Sequence, residues 1–189
     1  MNTRKHFTFV LLVFVLLTML ACTIFIGGPD YPGERIPVST EAAGEIQFAM
    51  QTAIAGGQAT GQMTLTLTET QLTSYLAYKL QEQTDPFLTD PQVTLRDGQV
   101  QIYGTAEQGY FKATASIVLS AGIDENGEIA IELVSADFGP LPVPDGLLDT
   151  IAATVQETFT GAIGPAAIGF RLESVSIADG EMTVIGQTK

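Results

Sequence analysis

The chain has 189 residues and a net charge of −13 at pH 7, with no Trp, one Cys and one His. Cys22 and His6 both fall in the first 22 residues, so everything after them is without a disulfide, a thiol nucleophile, an imidazole base or a His or Cys metal ligand. Ser-His-Asp, Cys-His and zinc mechanisms are excluded there, while enzymes that run on carboxylates alone leave catalysis open as a minority option. Setting aside Arg4 and Lys5 leaves 6 basic against 21 acidic residues, a net charge of −15. Such a surface repels nucleic acid and is not steered onto anionic lipid headgroups.

Arg4, Lys5 and His6 precede an apolar run from Phe7 to Ile26 broken only by Thr8, Thr18, Cys22 and Thr23. A cationic start before such a run is an export signal, because the charges stay inside while the apolar segment enters the bilayer. Two forms of anchor fit residues 1–26. Twenty residues at about 1.5 Å rise span a hydrocarbon core as an uncleaved helix. Alternatively, Met19-Leu20-Ala21-Cys22 resembles a lipobox, which would make Cys22 a lipidation site. A cleaved signal releasing a free protein is the third option. Gly27-Gly28-Pro29 ends the run, and residues 27–38 read as a Gly/Pro linker lifting the domain off the membrane.

Residues 39–189 read as one extracytoplasmic domain. Ser39 or Thr40 caps a helix from Glu41 to Ile54, with Ile46, Met50, Ala53 and Ile54 on one stripe and Gly56-Gly57 as its stop. Met63 to Thr68 alternates as a strand. Thr68-Glu69-Thr70-Gln71 is a capping box opening a helix whose Leu72, Tyr75, Leu76 and Leu80 share a face. From Pro91 the pattern is β: Val93 and Leu95, a turn at Asp97-Gly98, then Val100, Ile102 and Gly104. After a turn at Glu107-Gln108-Gly109, apolar and small residues hold every second position from Phe111 to Ile123. Asn126-Gly127 turns the chain into Ile129, Ile131 and Leu133, completing an antiparallel meander. Gly139 to Pro144 is an extended connector, since its three prolines remove donors. Leu147, Leu148, Ile151, Val155 and Phe159 make a second helical stripe, and two last strands flank Asp179-Gly180.

Chemistry-bearing constellations are few. Asp124, Glu125 and Glu128 surround Asn126-Gly127 without the ligand spacing of a calcium loop, so they belong to a hairpin turn. Asp145 and Asp149 lie near a helix start, where negative charge is favourable. No phosphate loop, dinucleotide fingerprint or nucleophile elbow is present, so no catalytic residue, metal site or cofactor is named.

Apolar stripes at helical spacing are also what an ordinary core requires. Two details point to a ligand. Ala113, Ala115 and Ala121 face inward along one long strand, leaving room above a curved sheet. A chain of mean hydropathy +0.26 with no Trp is suited to lining an aliphatic tunnel.

Leu67-Thr68-Glu69-Thr70-Gln71-Leu72, Asp97-Gly98-Gln99-Val100-Gln101-Ile102-Tyr103-Gly104, the segment from Gly139 to Pro144, and Ile177-Ala178-Asp179-Gly180-Glu181-Met182-Thr183-Val184 occur in that order. Over roughly residues 60 to 187 the chain resembles the YpmS-like family of bacterial membrane-anchored proteins, and more distantly the LmeA-like phospholipid-binding proteins. The resemblance implies a tubular lipid-binding (TULIP)-like fold with a helix cradled in a curved sheet and an acyl-chain groove between them. It carries over no binding residue.

The expected fold is therefore α+β, a long curved antiparallel sheet wrapping two or three amphipathic helices, plus an N-terminal membrane helix. The expected protein is non-catalytic and membrane-tethered on the extracytoplasmic side. It holds a lipid or another long apolar ligand against Leu72, Leu76, Leu80, Ile117, Leu119, Ile151, Val155 and Phe159. On that reading Leu119→Asp blocks ligand loading without unfolding. The competing readings are a solid envelope scaffold and a carboxylate-based envelope hydrolase with two facing acids.

Overall fold

The computed structural model describes residues 23–31, 33–84, 86, 88–142, 153 and 169–189. In chain order these give β1 (Ile24–Phe25), α1 (Thr40–Thr60), β2 (Gln62–Thr68), α2 (Glu69–Gln81), β3 (Thr89–Arg96), β4 (Gln99–Gln108), β5 (Phe111–Ile123), β6 (Ile129–Asp137), β7 (Phe170–Ala178) and β8 (Glu181–Thr188). The strands hydrogen-bond as two sheets. The larger runs β1-β5-β4-β3, with β6 also on β5; the smaller runs β2-β8-β7. All pairings are antiparallel except β1 with β5.

Turn chemistry sets the meander. Asp97-Gly98 and Asp179-Gly180 each have positive φ at both residues, 54° and 74° in the first and 53° and 82° in the second. That is the two-residue turn whose twist matches antiparallel strands. The strands it joins register as Leu95 with Val100 and Ile177 with Met182. The alternation along β5 resolves as expected: Ala113, Ala115, Ile117 and Leu119 are buried in a row.

The larger sheet is strongly curled into a half-barrel, and β7 lies across one end of it. Leu172 N–H donates to Gly127 O at 3.2 Å beside the β5–β6 turn. At the far end of β7, Gly180 N–H donates to Leu95 O, also at 3.2 Å. One strand of the smaller sheet thus bridges two places on the larger one. The result is a mixed α+β fold, with α1 and α2 the helices of known extent among the described residues, consistent with a TULIP-like arrangement. Of the third helix expected over Leu147 to Phe159, only Ala153 is among the described residues, and it is helical.

Both helices pack on this frame. Ser39 caps α1, its hydroxyl accepting from Ala42 N–H at 3.0 Å. Thr68 and Gln71 complete the capping box of α2, at 3.3 Å and 3.0 Å. Ser39 N–H also donates to Ser74 Oγ, so the start of α1 is fastened to the buried face of α2.

Gly56-Gly57 does not stop α1, which continues to Thr60 and ends at Gly61 in the left-handed region (φ 81°). The reason is tertiary. Ala42, Ile46, Met50, Ala53 and Gly57 form one buried stripe, and a Cβ on Gly57 would lie 2.5 Å from Cε1 of Phe170. Gly57 is where the helix admits an aromatic ring. Gly56 has open space around its Cα. Gly57→Ala is expected to destabilise by about 1–3 kcal/mol through overpacking, despite the better helix propensity. Gly56→Ala is expected to stabilise by roughly 0.5–1 kcal/mol. Urea denaturation of the two variants checks the opposite signs.

The N-terminal boundary also differs from expectation. An apolar helix continuing to Ile26 is not what these residues form. Ile24–Phe25 is a short strand paired in parallel with Phe111 and Lys112, and Ile26 N–H donates to Lys112 O at 2.9 Å. β5 offers a free backbone edge there, which an extended segment satisfies and a helix cannot. Residues 27–38 are not a free spacer either. Gly27 O accepts from Thr114 N–H at 2.9 Å, Tyr31 meets Tyr103 edge to face at 5.4 Å, and Gln92 bonds both backbone groups of Ile36. Among the described residues no helix is long and apolar enough to cross a membrane. Residues 1–22, with Cys22, lie outside the described residues.

Candidate functional site

Five of the eight residues expected to line a groove are described. Leu72, Leu76 and Leu80 come from one face of α2; Ile117 and Leu119 come from the inner row of β5. All are buried and belong to one continuous apolar cluster with β2, β3, β4 and β8. The sequence reading therefore brings together residues far apart in the chain. Ile151, Val155 and Phe159 lie outside the described residues.

Their positions depend on how α2 is held. β3 is the edge strand of the larger sheet, and its outward backbone groups need partners. Thr73 Oγ1 accepts from Val93 N–H at 2.9 Å, and Glu69 Oε1 accepts from Leu95 N–H at 2.8 Å. Glu69 N–H in turn donates to Gly180 O. Two side chains one helical turn apart thus stand in for a missing strand and fix the rotation of α2, aiming its leucines at the sheet. No local pattern in the sequence marks Glu69 and Thr73 for this role, because their partners lie 26 and 20 residues downstream. Thr73→Val keeps the shape but leaves a buried N–H unpaired. It is expected to cost about 1–3 kcal/mol, read as a lower unfolding midpoint.

Small inward side chains at the β1 end of β4 and β5 are met by other parts of the chain. Leu88 fills the notch at Gly104, where an added Cβ would lie 2.5 Å from its Cγ. Gly139 packs against Gly28 and Ala113, while Phe138 and Leu141 are buried in the same region. The room expected above Ala113 is thus taken up in part by the chain itself, and Ala115 beside it is also buried. Partial exposure of the inner face occurs toward the other end. Ala121, Ile123, Ile131 and Leu133 are half-buried, with register pairs Leu119–Leu133, Ala121–Ile131 and Ile123–Ile129 placing them on the face of Leu119. This apolar shelf continues the buried cluster outward. Alternation in β6 had pointed to Ile131 and Leu133, but only as strand residues.

Electrostatically the interior is neutral. The buried polar residues among those described are Thr73, Ser74, Gln92 and Thr94, and none carries a charge. An interior of this chemistry suits hydrocarbon and disfavours an ionised group, for which the buried residues described offer no opposite charge. The acidic turn at Asp124 is structural: its carboxylate accepts from Asn126 N–H at 2.9 Å and Glu128 N–H at 2.8 Å. The Glu128 hydrogen bond foremost holds the Asp124 carboxyl below its ordinary range. Among the described residues no three or more His, Cys, Asp or Glu are grouped to hold a metal ion.

Comparison with curated proteins gives no match. A family model described as LmeA-like phospholipid-binding matches residues 30–187, which include both helices and every strand except β1. With that span covered, the chain belongs to the LmeA-like phospholipid-binding family.

Proposed function

We propose that this protein binds a phospholipid or a similar long apolar ligand, with acyl chain held between α2 and the inner face of the curled sheet. The family match over the residues that build this frame carries the reading. The geometry supports it through an uncharged interior that continues outward as the shelf of Ala121, Ile123, Ile131 and Leu133. The charged headgroup stays at the rim, because the interior offers no partner for it. Lipid binding of this kind is a non-catalytic role. We further propose that the apolar run from Phe7 onward tethers the chain to a membrane with the domain on the extracytoplasmic side, by a retained helix or by lipidation at Cys22. The likeness to YpmS-like membrane-anchored proteins rests on the turn and cap motifs and agrees with this placement.

A packed scaffold is the second reading, and the full burial of Leu72, Leu76, Leu80, Ile117 and Leu119 favours it. Native mass spectrometry with solvent extraction of the full chain separates the two. The lipid reading expects about one phospholipid per chain after detergent exchange. A clean apo mass that takes up no added phospholipid favours the scaffold.

A further inference from the structure

The end of the larger sheet opposite β7 carries an apolar cluster that the fold does not use. Ile24, Phe25, Tyr110 and Phe111 are 53, 62, 72 and 46 % exposed. They are joined by backbone hydrogen bonds, Ile24 N–H donating to Tyr110 O at 2.8 Å, and by the register pair Ile24–Phe111. Ile24 and Phe111 end the inner face of β5, whereas Phe25 pairs with Lys112 on the other face and Tyr110 sits in the β4–β5 turn. The cluster therefore wraps around the tip on both faces. Its neighbouring charges, Lys112 and Glu107, bond each other at 2.6 Å and cancel.

We propose that this tip docks on the lipid bilayer, giving the domain a second membrane contact beside its N-terminal segment. The occupant follows from where the chain comes from. The apolar run that begins at Phe7 continues through Cys22 and Thr23 into β1, so the chain enters the described fold at this tip. β1 is held to β5 through Ile24, Ile26 and Gly27, which leaves little slack between that run and Tyr110. Tyr and Phe beside uncharged backbone suit the headgroup level, where an aromatic body meets hydrocarbon and a polar tip meets water. A domain with net negative charge has no electrostatic reason to lie flat on anionic lipid, so contact is confined to this uncharged end. The inference rests on the proposed tethering, but not on a lipid inside the fold.

The absence of Trp provides the test. Full chains carrying Tyr110→Trp, Phe25→Trp or Phe48→Trp are reconstituted into phosphatidylcholine–phosphatidylglycerol vesicles with and without brominated acyl chains. All three sites are well exposed, and Phe48 lies on α1. The expected result is a blue shift and loss of most emission in brominated vesicles for Tyr110→Trp and Phe25→Trp, with Phe48→Trp unchanged. Thermal melts matching the parent chain establish that the variants fold. Vesicle-bound protein whose Tyr110→Trp and Phe25→Trp emission resists bromine overturns the tip while leaving the tether. Protein that fails to float with vesicles overturns both. A blue shift without quenching, together with a doubled mass, assigns the tip to a second copy of the chain instead. None of these outcomes alters whether extractable lipid is found, so the two proposals fail separately.

Discussion

Leu119→Asp is expected to abolish the native fold at neutral pH. Leu119 is 0 % exposed, sits between Val100 and Leu133 on the central strand, and belongs to the main apolar cluster. No charged residue is buried among those described, and an uncompensated buried charge costs about 3–5 kcal/mol. That is a large part of the roughly 5–15 kcal/mol that holds a domain of this size together. Loss of cooperative thermal unfolding together with proteolytic sensitivity is the expected readout. The expectation drawn from two helix stripes and one long alternating strand is that this change blocks ligand loading in a folded protein; the complete burial of Leu119 points to loss of the fold instead. Alternation says which face points inward; it does not say whether that face meets a ligand or the rest of the chain.

Leu133→Asn is the substitution that addresses function. Leu133 lies directly across from Leu119 but is only half-buried, on the outer part of the shelf. An amide there keeps access to solvent, so the stability loss is expected to stay at or below about 1–2 kcal/mol. An acyl chain lying on the shelf would meet a polar group in place of hydrocarbon. Phospholipid content after purification is therefore expected to fall severalfold while the unfolding midpoint moves little. Unchanged lipid content in a folded Leu133→Asn protein would take the shelf out of the binding site.

What the sequence revealed and what it concealed divide by the range of the interactions. The capping box at Thr68 and Gln71, the turns at Asp97-Gly98 and Asp179-Gly180, and the inward row on β5 are each set by residues within a few positions of one another. These were legible. Gly57 looked like a helix stop because its reason for being glycine is the ring of Phe170, more than a hundred residues away. The pairing of Ile24–Phe25 with β5 was hidden in the same way, behind an apolar run that suits a membrane helix equally well. Leu72, Leu76, Leu80, Ile117 and Leu119 are legible as buried positions because helical and strand periodicities mark inward faces. Glu69 and Thr73, which aim α2 at the sheet, carry no periodic signal at all.

The most direct measurement of the central claim is photocrosslinking with a phospholipid bearing a diazirine on its acyl chain. The lipid would be loaded onto the full chain and the adducts mapped by peptide mass spectrometry. The account predicts adducts on the inner shelf of β5 and β6, around Ile123 and Leu133, and on the leucine face of α2. Adducts confined to the tip at Phe25 and Tyr110, or none above a lipid-free background, would contradict a phospholipid held inside the fold.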